Sequence, residues 1–429
     1  MTKSKIHQAK AAKAKIPPKK AIKRPAKPVS KKTVKPAAKK LALSGAEVAK
    51  PSATPRPGSA AATKPVPLSP LARLLEEVKK RKESVHQYLK LKDRPDRFLP
   101  EDIYRGMHSY LGIGGKSLRP AVCLFCCGAV GGDEDKALPA AAAIEVYHTW
   151  TLVHDDIIDR DKLRRGAATV HEELTQRAVK RLGLKGEEAR HYGTSMAILA
   201  GDLQQGWTIA LLTELVRERG VNPILVLQLI LDLEIDVQSA LIEGEALDVQ
   251  YSKMPLESLN EEKILAMLWK KTGALYQFAG KAGAMIGIDQ PNNKHPYVEA
   301  LSQFTSHCGM AFQLQDDILG ILGNEKTLGK PVGSDIREGK RTVIVYHSLN
   351  AASRAERSLI LKTLGNPKAT PAQVKSVTQL FVKLGGIEHT AELAQKYVRK
   401  AIAALEPLPE TEYKQLLMQW ADYMINRTF

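Results

Sequence analysis

An all-α fold is predicted for most of this chain, on three observations. Ala, Leu, Lys and Glu dominate a sequence of which only 5% is aromatic, and these are strong helix formers. From Pro70 onward, apolar residues such as Leu71, Leu74, Leu75 and Val78 recur at helical spacing. No run of strand-like alternation is sustained over several segments.

Residues 1–68 stand apart from this texture. The first 70 residues hold 18 Lys and Arg against one acid, Glu47, leaving 46 bases and 45 acids in the rest of the chain. The net charge of +18 therefore belongs to one tail, and charge gives no reason to read the remainder, 69–429, as a nucleic-acid-binding domain. Low-complexity Lys, Ala, Pro, Ser and Thr bury too little apolar surface to offset their ordering entropy. The expectation is a disordered basic tail. It reads equally as a solvated spacer or as a non-specific electrostatic arm for nucleic acid or acidic membrane.

Helices are expected at 117–130, 137–162, 190–219, 222–250, 256–287, 296–323, 371–385, 388–405 and 410–426. Breaks fall at Gly131-Gly132, Gly220, Pro223, Pro255, Pro291, Gly323, Gly385-Gly386 and Pro407. Such a series packs as one helical domain. Cys123, Cys126, Cys127 and Cys308 are the only cysteines. They lack the second pair or His partners of a zinc site and read as small apolar side chains on packed helices. No disulfide framework is implied, which points to a reducing compartment. No apolar run of spanning length occurs and no apolar core of a secretory signal is visible; a mitochondrial transit peptide is disfavoured, since the N-terminus is acid-poor as such peptides are but Lys-rich rather than Arg-rich and broken by prolines. The expected location is cytoplasmic.

Two acidic clusters carry the chemistry. Asp155 and Asp159, within Asp155-Asp156-Ile157-Ile158-Asp159, lie one helical turn apart. Their mutual repulsion is relieved by a hard cation such as Mg²⁺, which takes oxygen ligands and keeps water and substrate phosphate. Asp316-Asp317 forms a second pair within an apolar helix. Bases follow each pair: Arg164-Arg165 after the first, Lys326 and Lys330 after the second. Upstream, Gly114-Gly115 precedes a helix whose start carries Lys116 and Arg119, an arrangement suited to an anion. Acids for metal plus separate bases for phosphate imply a site for more than one diphosphate. His148, seven residues before Asp155, shares its helical face. No Ser-His-Asp arrangement offers a side-chain nucleophile.

Five segments, in order, resemble the trans-prenyltransferases, the head-to-tail synthases that make geranyl, farnesyl and geranylgeranyl diphosphates. They are Gly115-Lys116-Ser117-Leu118-Arg119-Pro120, Asp155–Asp159 with Arg164-Arg165-Gly166, Lys271-Thr272, Phe312-Gln313-Leu314-Gln315-Asp316-Asp317, and Gly329–Ile336. The resemblance covers the chain from about residue 70 to its end. It implies a helical isoprenoid-synthase domain that ionises an allylic diphosphate, condenses it with isopentenyl diphosphate and eliminates a proton. Lys116, Arg119, His148 and Arg165 would bind isopentenyl diphosphate. Arg164, Lys271 and Lys330 would bind the allylic diphosphate. Asp155, Asp159 and Asp316 would hold magnesium, with three ions implied per site. Thr272 and Gln313 would face the allylic carbon, and a homodimer is implied. Trp150 and Thr151, five and four residues before Asp155, resemble the chain-length positions of the geranylgeranyl type. A C20 product is therefore expected, with C15 second.

Two departures stand out. Gly320 occupies the fifth position of the second motif, where the family places Asp. Glu245 stands where the family usually has Gln. The rival readings are a class I terpene cyclase, which needs no second diphosphate site, and a non-catalytic synthase subunit with a nucleic-acid-binding tail.

Overall fold

The computed structural model describes residues 69–112, 115–323 and 333–426. The expected tail, 1–68, lies outside the described residues, as do Lys326 and Lys330. The described chain is helical as expected. Its one exception is a two-stranded antiparallel ribbon, β1 (Leu163–Arg164) and β2 (Ala167–Ala168), too short to show alternation.

The first helix, α1 (Pro70–Leu91), is started by the Ser69 side chain, which accepts from Ala72 N–H, and by proline at its first position. It buries Leu74, Val78, Val85, Tyr88 and Leu89. After α2 (Glu101–Gly112) come α3 (Leu118–Ala129) and α4 (Glu134–Ile158). These are followed by α5 (Val170–Leu182), α6 (Gly186–Arg219), α7 (Pro223–Leu231) and α8 (Gln238–Tyr251). Then come α9 (Glu261–Leu268), α10 (Ala274–Ile288) and α11 (Pro296–Leu322). Helices α3, α4, α6, α10 and α11 pack on one another as the centre of the fold. α3 and α10 are buried over most of their lengths, and a helix apolar all round belongs inside a large core. Phe125, Tyr147, Tyr276, Phe278, Phe304 and Trp420 are fully buried there. All four cysteines are free and buried in the same core, as expected.

The expected boundaries differ in informative ways. α4 stops at Ile158 rather than 162, because Asp159 caps it and Arg160 turns into a positive φ of 60°. The expected helix 222–250 is interrupted by a π-helical turn at Asp232–Val237, and 256–287 by another at Trp269–Gly273. α5 was not expected. Only Val170, Leu174 and Ala178 of its residues are buried, and charged side chains make up much of the rest, so its apolar stripe is too thin to stand out. Three short helices after α11 were likewise not expected: α12 (Ser334–Glu338), α13 (Val343–Ala351) and α14 (Arg354–Thr363).

Candidate active site

The C-terminal end of α4 delivers the first acidic cluster. Asp159 follows the last helical residue, with its N–H on the Asp155 carbonyl at 2.8 Å, so the two carboxylates stay one turn apart. Asp156 faces the opposite way and is fully buried. It accepts from the Tyr110 hydroxyl and from Arg164 Nε and a terminal nitrogen at 2.6–2.9 Å. Asp156 thus anchors the ribbon that carries Arg164. Arg165 and Gly166, both at positive φ (54° and 78°), make its turn. Arg164 reaches on to Asp155 at 3.0 Å.

The π turn at Trp269–Gly273 presents Lys271 and Thr272 to the same space. Single π turns inside helices recur at functional sites because they re-aim side chains. Gly244 of α8 makes this possible, since a Cβ there would overlap the Lys271 backbone. Lys271 Nζ sits among three carboxylates: Glu245 at 2.7 Å, Asp248 at 2.8 Å and Asp155 at 3.2 Å. Burial works against the charge on Lys271, yet Asp155 and Asp248 more than offset it and raise its pKa. Burial likewise opposes ionisation of Asp155, and Lys271 and Arg164 overcome it, holding the carboxyl well below its usual range. The unexpected Glu245 is pushed upward, first by burial, and its Oε1 is buried without a hydrogen-bond partner.

From α11 comes the second cluster. Thr272 donates to Gln313 Oε1 at 2.9 Å, and Gln313 donates to Asp317 at 3.0 Å. Burial pushes the Asp317 carboxyl up to about 8, and its Oδ2 lacks a hydrogen-bond partner. Lys340 closes the ring, 3.2 Å from Asp159. Lys340 and Asp248 were missed by sequence reasoning, and Asp156, though quoted within the first motif, was given no role. Nothing in the spacing of Lys340 and Asp248 to the motifs marks them, although Lys340 is the next lysine after Lys330.

A separate set of cations lies at the start of α3. Arg119 is 3.2 Å from His148 Nε2 and stacks over the Tyr276 ring at 4.3 Å. Burial, then the nearby Arg119, drives the His148 pKa well below its ordinary value, so the ring is neutral near pH 7. Arg165 covers Gly115, where a Cβ would lie 2.7 Å from its guanidinium. Ser117, at φ 47° and ψ 45°, donates to the buried Glu145 at 2.7 Å. Glu145 therefore pins the loop before α3, a further residue that spacing alone did not reveal.

One cavity of about 900 Å³ gathers nearly all of these residues. Asp155, Asp159, Asp316, Arg119, His148, Arg164, Arg165, Lys271, Thr272, Gln313, Trp150 and Thr151, all singled out from the sequence, line it. Lys116 is not in its wall; the ammonium sits 5.6 Å from the Tyr423 ring. The expectation for Lys330 falls outside the described residues. Among the described residues no three acids, His or Cys form a ready-made metal cage. Mg²⁺ does not require one, because it is held by one or two carboxylates, water and substrate phosphate. The all-oxygen donor set and the orphaned acceptors on Glu245 and Asp317 fit such a hard cation.

A buried helical site with facing acid clusters and a separate cation set matches one known family. The chain belongs to the polyprenyl synthetase family, whose profile matches residues 100–381. It is thus an enzyme, a prenyltransferase. It is 37% identical to the geranylgeranyl diphosphate synthase of Sulfolobus acidocaldarius over 305 residues, covering 71% of this chain and 83% of that one. The structure of geranylgeranyl pyrophosphate synthetase from Pyrococcus horikoshii superposes with a TM-score of 0.70 at 34% identity, over 83% of this chain and 99% of that one. Geranylgeranyl pyrophosphate synthase from Corynebacterium glutamicum, complexed with isoprenyl diphosphate and magnesium, has a TM-score of 0.71 at 26% identity, over 83% and 99%.

Proposed function

We propose that this prenyltransferase condenses isopentenyl diphosphate with an allylic diphosphate and releases a C20 diphosphate. The observation that carries the reading is one cavity whose wall holds two sets of charged groups, carboxylates with Lys271 and Lys340, and Arg119 and Arg165 with His148. Two anionic substrates need both sets, whereas a cyclase would need only the first.

Asp155, Asp159 and Asp316 would hold magnesium, which supplies Lewis-acid neutralisation of the departing diphosphate. Arg164, Lys271 and Lys340 add fixed positive charge where negative charge develops, and Lys330 is assigned with them. Arg119 and Arg165, with Lys116 and the neutral His148, hold isopentenyl diphosphate. Thr272 and Gln313, linked by their hydrogen bond, turn oxygen lone pairs toward the developing allylic cation. No side chain is asked to act as nucleophile; the departing diphosphate takes the proton.

Trp150, buried against Tyr147 with ring centroids 4.8 Å apart, supports a tunnel floor suited to C20, in keeping with the geranylgeranyl synthases it resembles. An exposed apolar run on the α7–α8 face, Ile224, Leu227, Leu231, Ile235 and Ile242, supports a homodimer. No described helix is long and apolar enough to cross a membrane, which is compatible with a cytoplasmic location. Residues 69–429 are assigned as the catalytic domain and 1–68 as an accessory basic tail. The test is incubation with labelled isopentenyl diphosphate, each allylic starter and Mg²⁺, with products resolved by length. An acid-labile C20 diphosphate is expected. A hydrocarbon product, or no elongation, overturns the reading.

A further inference from the structure

Helix α1 has so far served only the core, through Leu74, Val78, Val85, Tyr88 and Leu89. Another of its faces meets the start of α3. Lys82 and His86 lie four residues apart, hence one turn apart on one face, and both are half-buried. Lys82 Nζ donates to the Gly115 carbonyl at 2.5 Å. His86 Nε2 lies 3.4 Å from the Ser117 hydroxyl and 3.9 Å from Glu145 Oε1.

The loop they touch is one that must be held. Ser117 sits at φ 47° and ψ 45°, a left-handed conformation that costs a non-glycine residue free energy. It persists only where the surroundings over-determine it. The Ser117 hydroxyl has one proton, which it donates to the buried Glu145 at 2.7 Å. Its oxygen is then open to an N–H on His86 Nε2. The Gly115 carbonyl, two residues earlier, is satisfied by the Lys82 ammonium, which offsets a dipole that would oppose an anion beside the loop. Glu145 acts favourably on Arg165 through its charge, and Arg165 covers Gly115. Lys116 and the first turn of α3, with Arg119, follow directly from this grip.

We propose that Lys82 and His86 are positioning residues for isopentenyl diphosphate. They grip the Gly115 carbonyl and the Ser117 hydroxyl, and so set where Lys116 and Arg119 meet the diphosphate. Neither side chain needs to touch the substrate. α1 is thereby part of the substrate site as well as of the core. The inference rests on the reading of Lys116, Arg119, His148 and Arg165 as the isopentenyl diphosphate set.

The test is calorimetric binding of isopentenyl diphosphate to the full chain in metal-free buffer, paired with KM for each substrate. Lys82→Met keeps the length of the side chain and removes its donor. It is expected to weaken binding, and to raise KM for isopentenyl diphosphate, about fivefold. KM for the allylic substrate stays unchanged. Lys82→Arg restores a charged donor and should return affinity to within about twofold of wild type. His86→Leu should weaken binding about threefold, and add nothing further in the Ser117→Ala background, because it acts through that hydroxyl. Four results overturn the proposal: Lys82→Met binding as tightly as wild type, Lys82→Arg binding as weakly as Lys82→Met, equal rises in both KM values, or a full His86→Leu loss on top of Ser117→Ala. A wild-type chain that binds isopentenyl diphosphate but elongates no substrate defeats the elongation reading alone, and the affinities of the variants then decide the role of α1. One that does not bind it defeats both.

Discussion

Replacing Asp155 with Asn separates the chemistry of this site from its stability. The substitution keeps volume and removes one charge. Asp155 has two cationic partners, Arg164 at 3.0 Å and Lys271 at 3.2 Å. Neither is stranded by its loss. Arg164 keeps Asp156, with its shortest bond at 2.6 Å, and Lys271 keeps Glu245 at 2.7 Å and Asp248 at 2.8 Å. Leaving a buried charge unpaired costs about 3–5 kcal/mol, and that penalty is avoided. The expected loss is about 1 kcal/mol, a fall in Tm of about 3 °C or less. Catalysis is expected to respond differently, because under the proposed reading Asp155 would hold magnesium. A metal contributes several kcal/mol of transition-state stabilisation; about 4 kcal/mol corresponds to about a thousandfold in kcat. The assay pairs initial rates of acid-labile product formation in saturating Mg²⁺ with thermal unfolding in metal-free buffer. A variant within about tenfold of wild-type kcat refutes Asp155 as a metal ligand. A Tm drop of about 10 °C or more refutes the argument that its partners are held by other acids.

Three further outcomes are expected. Trp150→Ala should shift the product beyond C20, read by mass spectrometry of the hydrolysed alcohols; an unchanged profile places the tunnel floor elsewhere. Ser117→Ala removes the bond to Glu145 that holds the loop before α3. A net loss of about 1 kcal/mol should raise KM for isopentenyl diphosphate about fivefold and leave KM for the allylic substrate and kcat unchanged; equal losses in both KM values would show a general defect instead. His307 on α11 has its pKa lowered, first by burial and then by Lys400. As pH falls below about 6.5, the unfolded chain takes up this proton first, so the stability contributed by the neutral ring is present above that pH and declines below it. His307→Gln should therefore flatten the dependence of Tm on pH between 6.5 and 5, and an unchanged slope would remove His307 from the account.

Much of this was written locally in the chain. Helical periodicity and the breaks at Gly and Pro sufficed to read α6, α11 and the C-terminal helices, since each buries a broad apolar stripe. α5, whose buried stripe is only Val170, Leu174 and Ala178, carried too little signal. The two π turns were equally hidden. Nothing in the run around Lys271 distinguishes an extra residue in a turn from a regular helix, because the insertion is stabilised by α8 packing close at Gly244.

Asp155, Asp159, Asp316, Arg119 and Arg165, which line one cavity, could be singled out because their chemistry is unusual for their setting, whereas Lys271 was marked only by the family resemblance. Paired acids and clustered bases inside apolar helices call for a partner, and spacing along a helix fixes which of them share a face. Asp248, Lys340 and Glu145 were not legible, because the partner each meets, Lys271, Asp159 and Ser117 respectively, lies tens to hundreds of positions away in the chain. The sequence by itself therefore determined the class of fold and marked the two acidic motifs, since those depend on near neighbours. Only the tertiary structure decided that Lys271 and Lys340 are held among the acids. Such pairings depend on distances between helices, and those are set by packing.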